Sequence, residues 1–389
     1  MIAAQRPIQR PRDARLLVVL ADGRISHAPR SRLVEFLHPG DLVIANDAAT
    51  LPASLHGVHL PTGAEIEVRL AGMARTNRRS GDLANRRSED QEVFGFSKKN
   101  SPGLLISCSF SAVVFGAGDF RTRTEDRPLP PTLAPGDRLV LGPLSATIDA
   151  LLDHPRLVSV RFSGPSDAVW AGLARHGRPI QYAHVPTPLA LWDVWTPIAG
   201  VPAAFEPPSA GFAIDWATLR SLRARGIVFA SITLAAGLSS TGDPELDCRL
   251  PFDEPYQIPA ATASAIRHTR SEGGRIVAVG TTVVRALEHA AARTDLVRRG
   301  PGIADQRLGP SRPLRVVDAI LSGTHEPGSS HYQLLRAFLD DDTLAAASAA
   351  LDAAGYRTHE FGDSVLIEEA FVKRARRPER VPGAELALA

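Results

Sequence analysis

The stretch Arg275–Glu288, RIVAVGTTVVRALE, limits the fold more than any other part of the chain. Ile276 to Val279 run without the polar alternation of a half-exposed strand. Gly280 and two threonines then turn the chain into a helical pattern from Val283 to Ala292. A buried strand that passes through a glycine into a helix is a unit of a sheet with helices packed on it. Comparable runs predict strands at 16–20, 42–45, 227–234, 314–321 and 365–367. Helical spacing with stop residues predicts helices at 31–37, 216–225, 261–271, 329–338 and 344–354. The expectation is an α/β fold, a mixed sheet with packed helices.

A second pattern interrupts the first. Residues 65–70 alternate apolar and charged side chains, and short strand-like runs recur at 111–115, 138–141, 146–152 and 157–162. Turn residues such as Pro135-Gly136-Asp137 separate them, which predicts a small antiparallel β-barrel. The chain therefore divides into an α/β part, 1–60 and 166–389, and an inserted barrel, 61–165. A basic loop near 71–101, with Arg75, Arg78, Arg79, Arg86, Arg87, Lys98 and Lys99, reads either as a solvated insertion or as a face toward RNA.

Composition narrows the function. With 44% hydrophobic and 22% charged residues, the 389-residue chain is globular rather than disordered or coiled-coil. Two cysteines, Cys108 and Cys248, build neither a disulfide framework nor a zinc cluster, and no HExxH or CxxC occurs, so no metal is expected. A dinucleotide GxGxxG and a phosphate-binding P-loop are also missing. No apolar run reaches a membrane span of roughly 20 residues, which predicts a soluble, cytoplasmic protein with no membrane partner. The net charge of +2 is too even to announce nucleic-acid binding, yet it allows a local basic face. Nothing in the sequence sets an oligomeric state.

Candidate chemistry gathers at strand ends. Thr281 and Thr282 open a helix whose free N–H groups favour an anion or a polar ligand group, and Arg285 follows one turn later. Helix capping explains the same threonines. Asn46-Asp47 ends a buried strand, where a ligand crevice or a simple turn fits equally. His176, His184, His325, His331 and His359 are scattered, and each alone reads as a surface or core side chain.

The order of segments resembles the S-adenosylmethionine:tRNA ribosyltransferase-isomerase family of queuosine biosynthesis. The matching strings are RDARLLVVLADGRISH (12–27), LHPGDLVIANDAATLPASLHG (37–57), PPSAGF (207–212), GGRIVAVGTTVVRALE (273–288), RVVDAILSGTHEPGSS (315–330) and FGDSVLIE (361–368). The resemblance implies S-adenosylmethionine as co-substrate and ribosyl donor. It implies tRNA as partner, with a 7-aminomethyl-7-deazaguanine base as acceptor, an epoxyqueuosine product, and loss of adenine and methionine. Carried onto this chain, it implies His325, Glu254 and Asp47 as catalytic residues. It implies Asn46, Thr281, Thr282, Arg285, Gly211 and Asp363 as substrate-binding residues. One cleft beside the barrel is expected to gather Asn46, Thr282, His325 and Asp363.

The chain departs from the family pattern at polar positions. Ala48, Ala49 and Ser54 stand in the Thr-Arg and following Arg places, and Ala213 and Ala235 stand where the pattern has histidines. Of a downstream histidine-rich segment only Glu254 remains, whereas His325 is kept. Two alternatives follow: a paralogue that binds S-adenosylmethionine or a nucleoside without modifying tRNA, and an enzyme with a small-molecule acceptor.

Overall fold

The computed structural model describes residues 1–73 and 108–374. Most of the expected basic loop therefore lies outside the described residues. The core is a nine-stranded mixed sheet, and beside it stands a closed six-stranded barrel.

The sheet centres on Leu42–Asn46, all five residues buried, between Val228–Leu234 and Ile276–Val279. These three strands are parallel, and Ala319–Gly323 continues the parallel set beyond Ile276–Val279. Side chains alternate strictly between two apolar layers, as the pleat requires. Leu42, Ile44, Ile276, Ala278 and Ile320 enter one layer with the Thr281–Ala291 helix. Val43, Ala45, Val277, Val279 and Leu321 enter the other. Both faces are covered, which explains why these strands read as continuous apolar runs.

The barrel is antiparallel throughout, in the strand order 144–154, 157–162, 109–115, 64–73, 54–59, 138–141. It opens with Ser54–His59, ahead of the expected boundary at 61. Gly57 permits the closure: a Cβ there would stand 2.0 Å from the Val140 carbonyl oxygen. The helix Ser166–His176 packs Val169 and Leu173 into the barrel core.

Several expectations shift. The short helix expected at 31–37 is a 3-10 helix over Arg30–Phe36. The strand expected at 314–321 pairs only as Ala319–Gly323. Upstream of it, the Glu288 carboxylate accepts the backbone N–H groups of Arg315, Val316 and Val317, so that stretch is held by a side chain instead of a neighbouring strand. Glu254–Ile258 and Gly300–Ala304 add an antiparallel extension to the sheet that the sequence did not announce. Cys108 and Cys248 are both free thiols. Among the described residues no helix is long and apolar enough to cross a membrane.

Candidate active site at the carboxyl edge of the sheet

The parallel register puts the carboxyl ends of four strands on one edge, the usual place for a ligand in such a sheet. Asn46 and Asp47 end one strand, Gly280-Thr281-Thr282 follows the next, and His325 follows a third. Gly280 holds a left-handed φ of 96°, and no side chain caps the Thr281–Ala291 helix. A Cβ on Gly280 would stand 3.5 Å from the Ala210 methyl, so the 3-10 turn Ser209–Ala213, which carries Gly211, lies over the same turn.

Imidazoles crowd this edge. His325 Nε2 is 2.8 Å from Ser322 Oγ, and its ring stacks on His331 with centroids 4.7 Å apart. His331 Nδ1 is 2.9 Å from Thr281 Oγ1. A second stack joins His184 and His359 at 4.1 Å, with His184 Nε2 2.8 Å from Glu360 Oε2. His359 holds a left-handed backbone, φ 69°, which histidine tolerates better than most residues. Burial, then the neighbouring His331 and His359, push His325 well below its ordinary 6.5. Burial and the Arg285 charge push His331 down to about 4. Both rings are neutral at neutral pH.

The polar chain continues toward the barrel. Tyr182 stacks on His184 at 6.2 Å, and its hydroxyl donates to Glu206 Oε1 at 2.5 Å while accepting from the Ser240 N–H. Burial raises the Glu206 carboxyl to about 7 and, with the Glu206 charge, the Tyr182 phenol well above its usual value. The Arg69 guanidinium lies 5.4 Å from the centre of the Tyr182 ring and is paired with Glu67 inside the barrel.

The expected site residues divide into two groups. Asp47 is half-buried, and its carboxylate accepts from Ser231 Oγ at 2.6 Å and Thr233 Oγ1 at 2.7 Å. With Thr281, Thr282, His325 and Gly211 it borders the edge just described. The rest are tied up in the frame. Asn46 donates to the Leu234 carbonyl and accepts from the Leu234 and Ala48 N–H groups. Arg285, buried, pairs with Glu254 and donates to the carbonyls of Phe252, Ala304 and Gln306. Burial raises the Glu254 carboxyl although Arg285 opposes it. Asp363 sits at the same edge, but it accepts from the backbone and guanidinium of both Arg15 and Arg357. Those contacts hold its carboxyl below the usual range against the pull of burial.

Sequence reasoning missed the assembly of His184, His331, His359, Tyr182, Glu206 and Glu360. Its one local signal was His359-Glu360, directly before the matching segment FGDSVLIE. At the departing positions, Ala48 and Ala49 are buried in a short strand beside Val201–Ala204, and Ser54 Oγ donates to Glu67. No cluster of metal-binding side chains occurs among the described residues.

Residues 1–367 match the family model described as queuosine biosynthesis protein. The S-adenosylmethionine:tRNA ribosyltransferase-isomerase of Sorangium cellulosum is 34% identical over 387 residues, covering 94% of this chain and 95% of the relative. The enzyme of the same name from Thermus thermophilus is 32% identical, covering 92% and 93%. A crystal structure of S-adenosylmethionine tRNA ribosyltransferase from Thermotoga maritima aligns with a TM-score of 0.46 at 24% identity, over 94% of this chain and 96% of that one.

Proposed function

The chain belongs to the queuosine biosynthesis protein family, and we propose that it transfers the ribosyl part of S-adenosylmethionine to a 7-aminomethyl-7-deazaguanine base in tRNA. The products are epoxyqueuosine in the tRNA, adenine and methionine. The cytoplasm is the proposed place of this work.

One observation carries the reading: the stacked pair of buried imidazoles beside a helix N-terminus without a side-chain cap, at the carboxyl edge of the sheet. The chemistry needs a base for a proton next to a sulfonium, and help for a leaving adenine. A neutral imidazole accepts a proton without repelling the sulfonium, which a charged one would do. We assign His325 as that base, with His331 stacked on it and oriented by Thr281. The Asp47 carboxylate, oriented by Ser231 and Thr233, faces the positive sulfur. The free N–H groups of the Thr281–Ala291 helix, with Thr282, hold the methionine carboxylate. Gly211 leaves room above the turn. Asn46, Glu254, Arg285 and Asp363 keep the frame in register, a role their filled hydrogen bonds support.

The test is direct. With precursor-bearing tRNA, the protein is expected to release adenine and methionine from S-adenosylmethionine in equal amounts. S-adenosylmethionine binding by calorimetry without any release would reduce the protein to a nucleoside-binding module and end the transferase reading.

A further inference from the structure

Three of the chain's four tryptophans stand in solvent: Trp192 is 75% exposed, Trp216 74% and Trp195 43%. The fourth, Trp170, packs edge-on against Phe110 at 6.1 Å. An indole left in water forfeits the largest burial any side chain offers, so several together mark a surface kept for a partner.

Trp192 lies in the short helical turn Leu191–Val194 and Trp195 caps its end, both exposed while Val194 between them is buried. The Trp195 indole N–H donates to the Thr50 carbonyl at 2.9 Å, which fixes the ring at the surface. Thr50 ends the short strand that begins just after Asp47, so this platform adjoins the candidate active site. The Gln9 amide donates to the carbonyls of Asp193 and Trp195. Next to it, exposed Arg10 is in electrostatic reach of Asp215, the cap of the helix Trp216–Ala224. On that helix Trp216, Arg220 and Arg223 are all exposed at a spacing that shares one face. Among the described residues neither arginine pairs with a carboxylate. Asp193 accepts from the Ala190 N–H and Asp215 from the Thr218 N–H, and the Asp215 charge is offset by Arg10.

We propose that Trp192, Trp195 and Trp216, with Arg10, Arg220 and Arg223, form the surface on which unpaired nucleotides of the tRNA stack. Aromatic rings and exposed guanidinium groups are what unstacked RNA bases and their phosphates select. A base that undergoes chemistry must leave its stack, and its neighbours need new stacking partners beside the active site. The proposal rests on the tRNA reading above, and its test separates the two.

Intrinsic tryptophan fluorescence is followed while an RNA hairpin with an unpaired loop, or a blunt RNA duplex of equal length, is added to the full chain. The hairpin is expected to quench and the duplex to leave the signal near its starting value. Trp192→Ala and Trp216→Ala are expected to raise KM for tRNA roughly tenfold each, and Arg220→Glu with Arg223→Glu to raise it further. S-adenosylmethionine binding, measured without RNA, stays at the wild-type value. Equal response to hairpin and duplex, no quenching at all, or unchanged KM in the variants of an active enzyme overturns the surface and leaves the transferase standing. A wild-type protein that releases no adenine overturns the transferase reading instead, whatever the hairpin does.

Discussion

Burial strips the proton from His325 and His331 across the neutral range, and the site depends on that. His325→Ala is expected to lower adenine release by about 10²–10⁴-fold, the usual contribution of a positioned acid or base. Calorimetric affinity for S-adenosylmethionine stays close to wild type. A variant with full activity would remove His325 from the reaction. Glu206 gives a second, opposite signature. Its folded pKa, about 7, lies above the ordinary 4.5. The folded state therefore holds a proton that the unfolded chain releases, and Glu206 makes stability fall as pH rises from about 4.5 to 7. Glu206→Gln stays neutral, so its urea midpoint is expected to gain on wild type across that window. A constant offset between the two curves would show that Glu206 does not titrate there. At this scale the sequence showed the residues without their company. His325 stood out because its segment matched a family string. His184 and His359 meet only because distant loops fold together, and no local spacing records that contact.

The apolar runs 42–45 and 276–279 were legible as strands because turn residues bound them and a sheet covered on both faces produces such runs. The extension Glu254–Ile258 with Gly300–Ala304 was not. Gly302 is needed there because a Cβ would stand 2.4 Å from the Tyr256 ring, a contact between distant segments that no local pattern records. The same logic makes Gly57 a test of barrel closure. Gly57→Ala drives a methyl into the Val140 carbonyl and the Leu141 backbone, which have no free rotamer to move. The expected loss is on the order of 1–3 kcal/mol, read as a lower urea midpoint with exposure of barrel amides in hydrogen exchange. Unchanged protection would mean the barrel closes without a tight approach there. The Arg285–Glu254 pair ties the same extension to the Thr281–Ala291 helix. Arg285→Ala leaves a buried carboxyl without its cation and is expected to cost about 3–5 kcal/mol. A surface ion pair would cost at most about 1 kcal/mol, so a loss that small would show that the pair does not hold the frame.

The barrel carries its own buried ion pairs, and acid should separate its contribution from that of the sheet. In the barrel wall Glu67 is 2% exposed and accepts from Ser54, Arg69 and Arg127. Burial alone would raise its carboxyl, but the two guanidinium groups prevail and lower it to about 2. A depressed carboxylate stabilises fully above its unfolded value of 4.5 and loses that contribution as pH falls toward 2. His325 and His331 act earlier: neutral when folded, they stabilise fully above 6.5, and their contribution declines as pH falls below it, for His331 down to about 4. Falling pH should therefore draw on two separate places, first the imidazole edge of the sheet, where the gain from protonating Glu206 opposes the loss from the histidines, and then the barrel. Glu67→Gln removes the second stage and leaves Arg69 and Arg127 buried without their anion, a loss of about 3–5 kcal/mol at pH 7. The variant's urea midpoint should lie well below wild type at pH 7 and approach it at pH 3, because wild type has by then lost much of what the variant never had. Parallel midpoints across that range would mean that Glu67 is not the anion on which the barrel closes, and that the arginines find their counter-charge elsewhere.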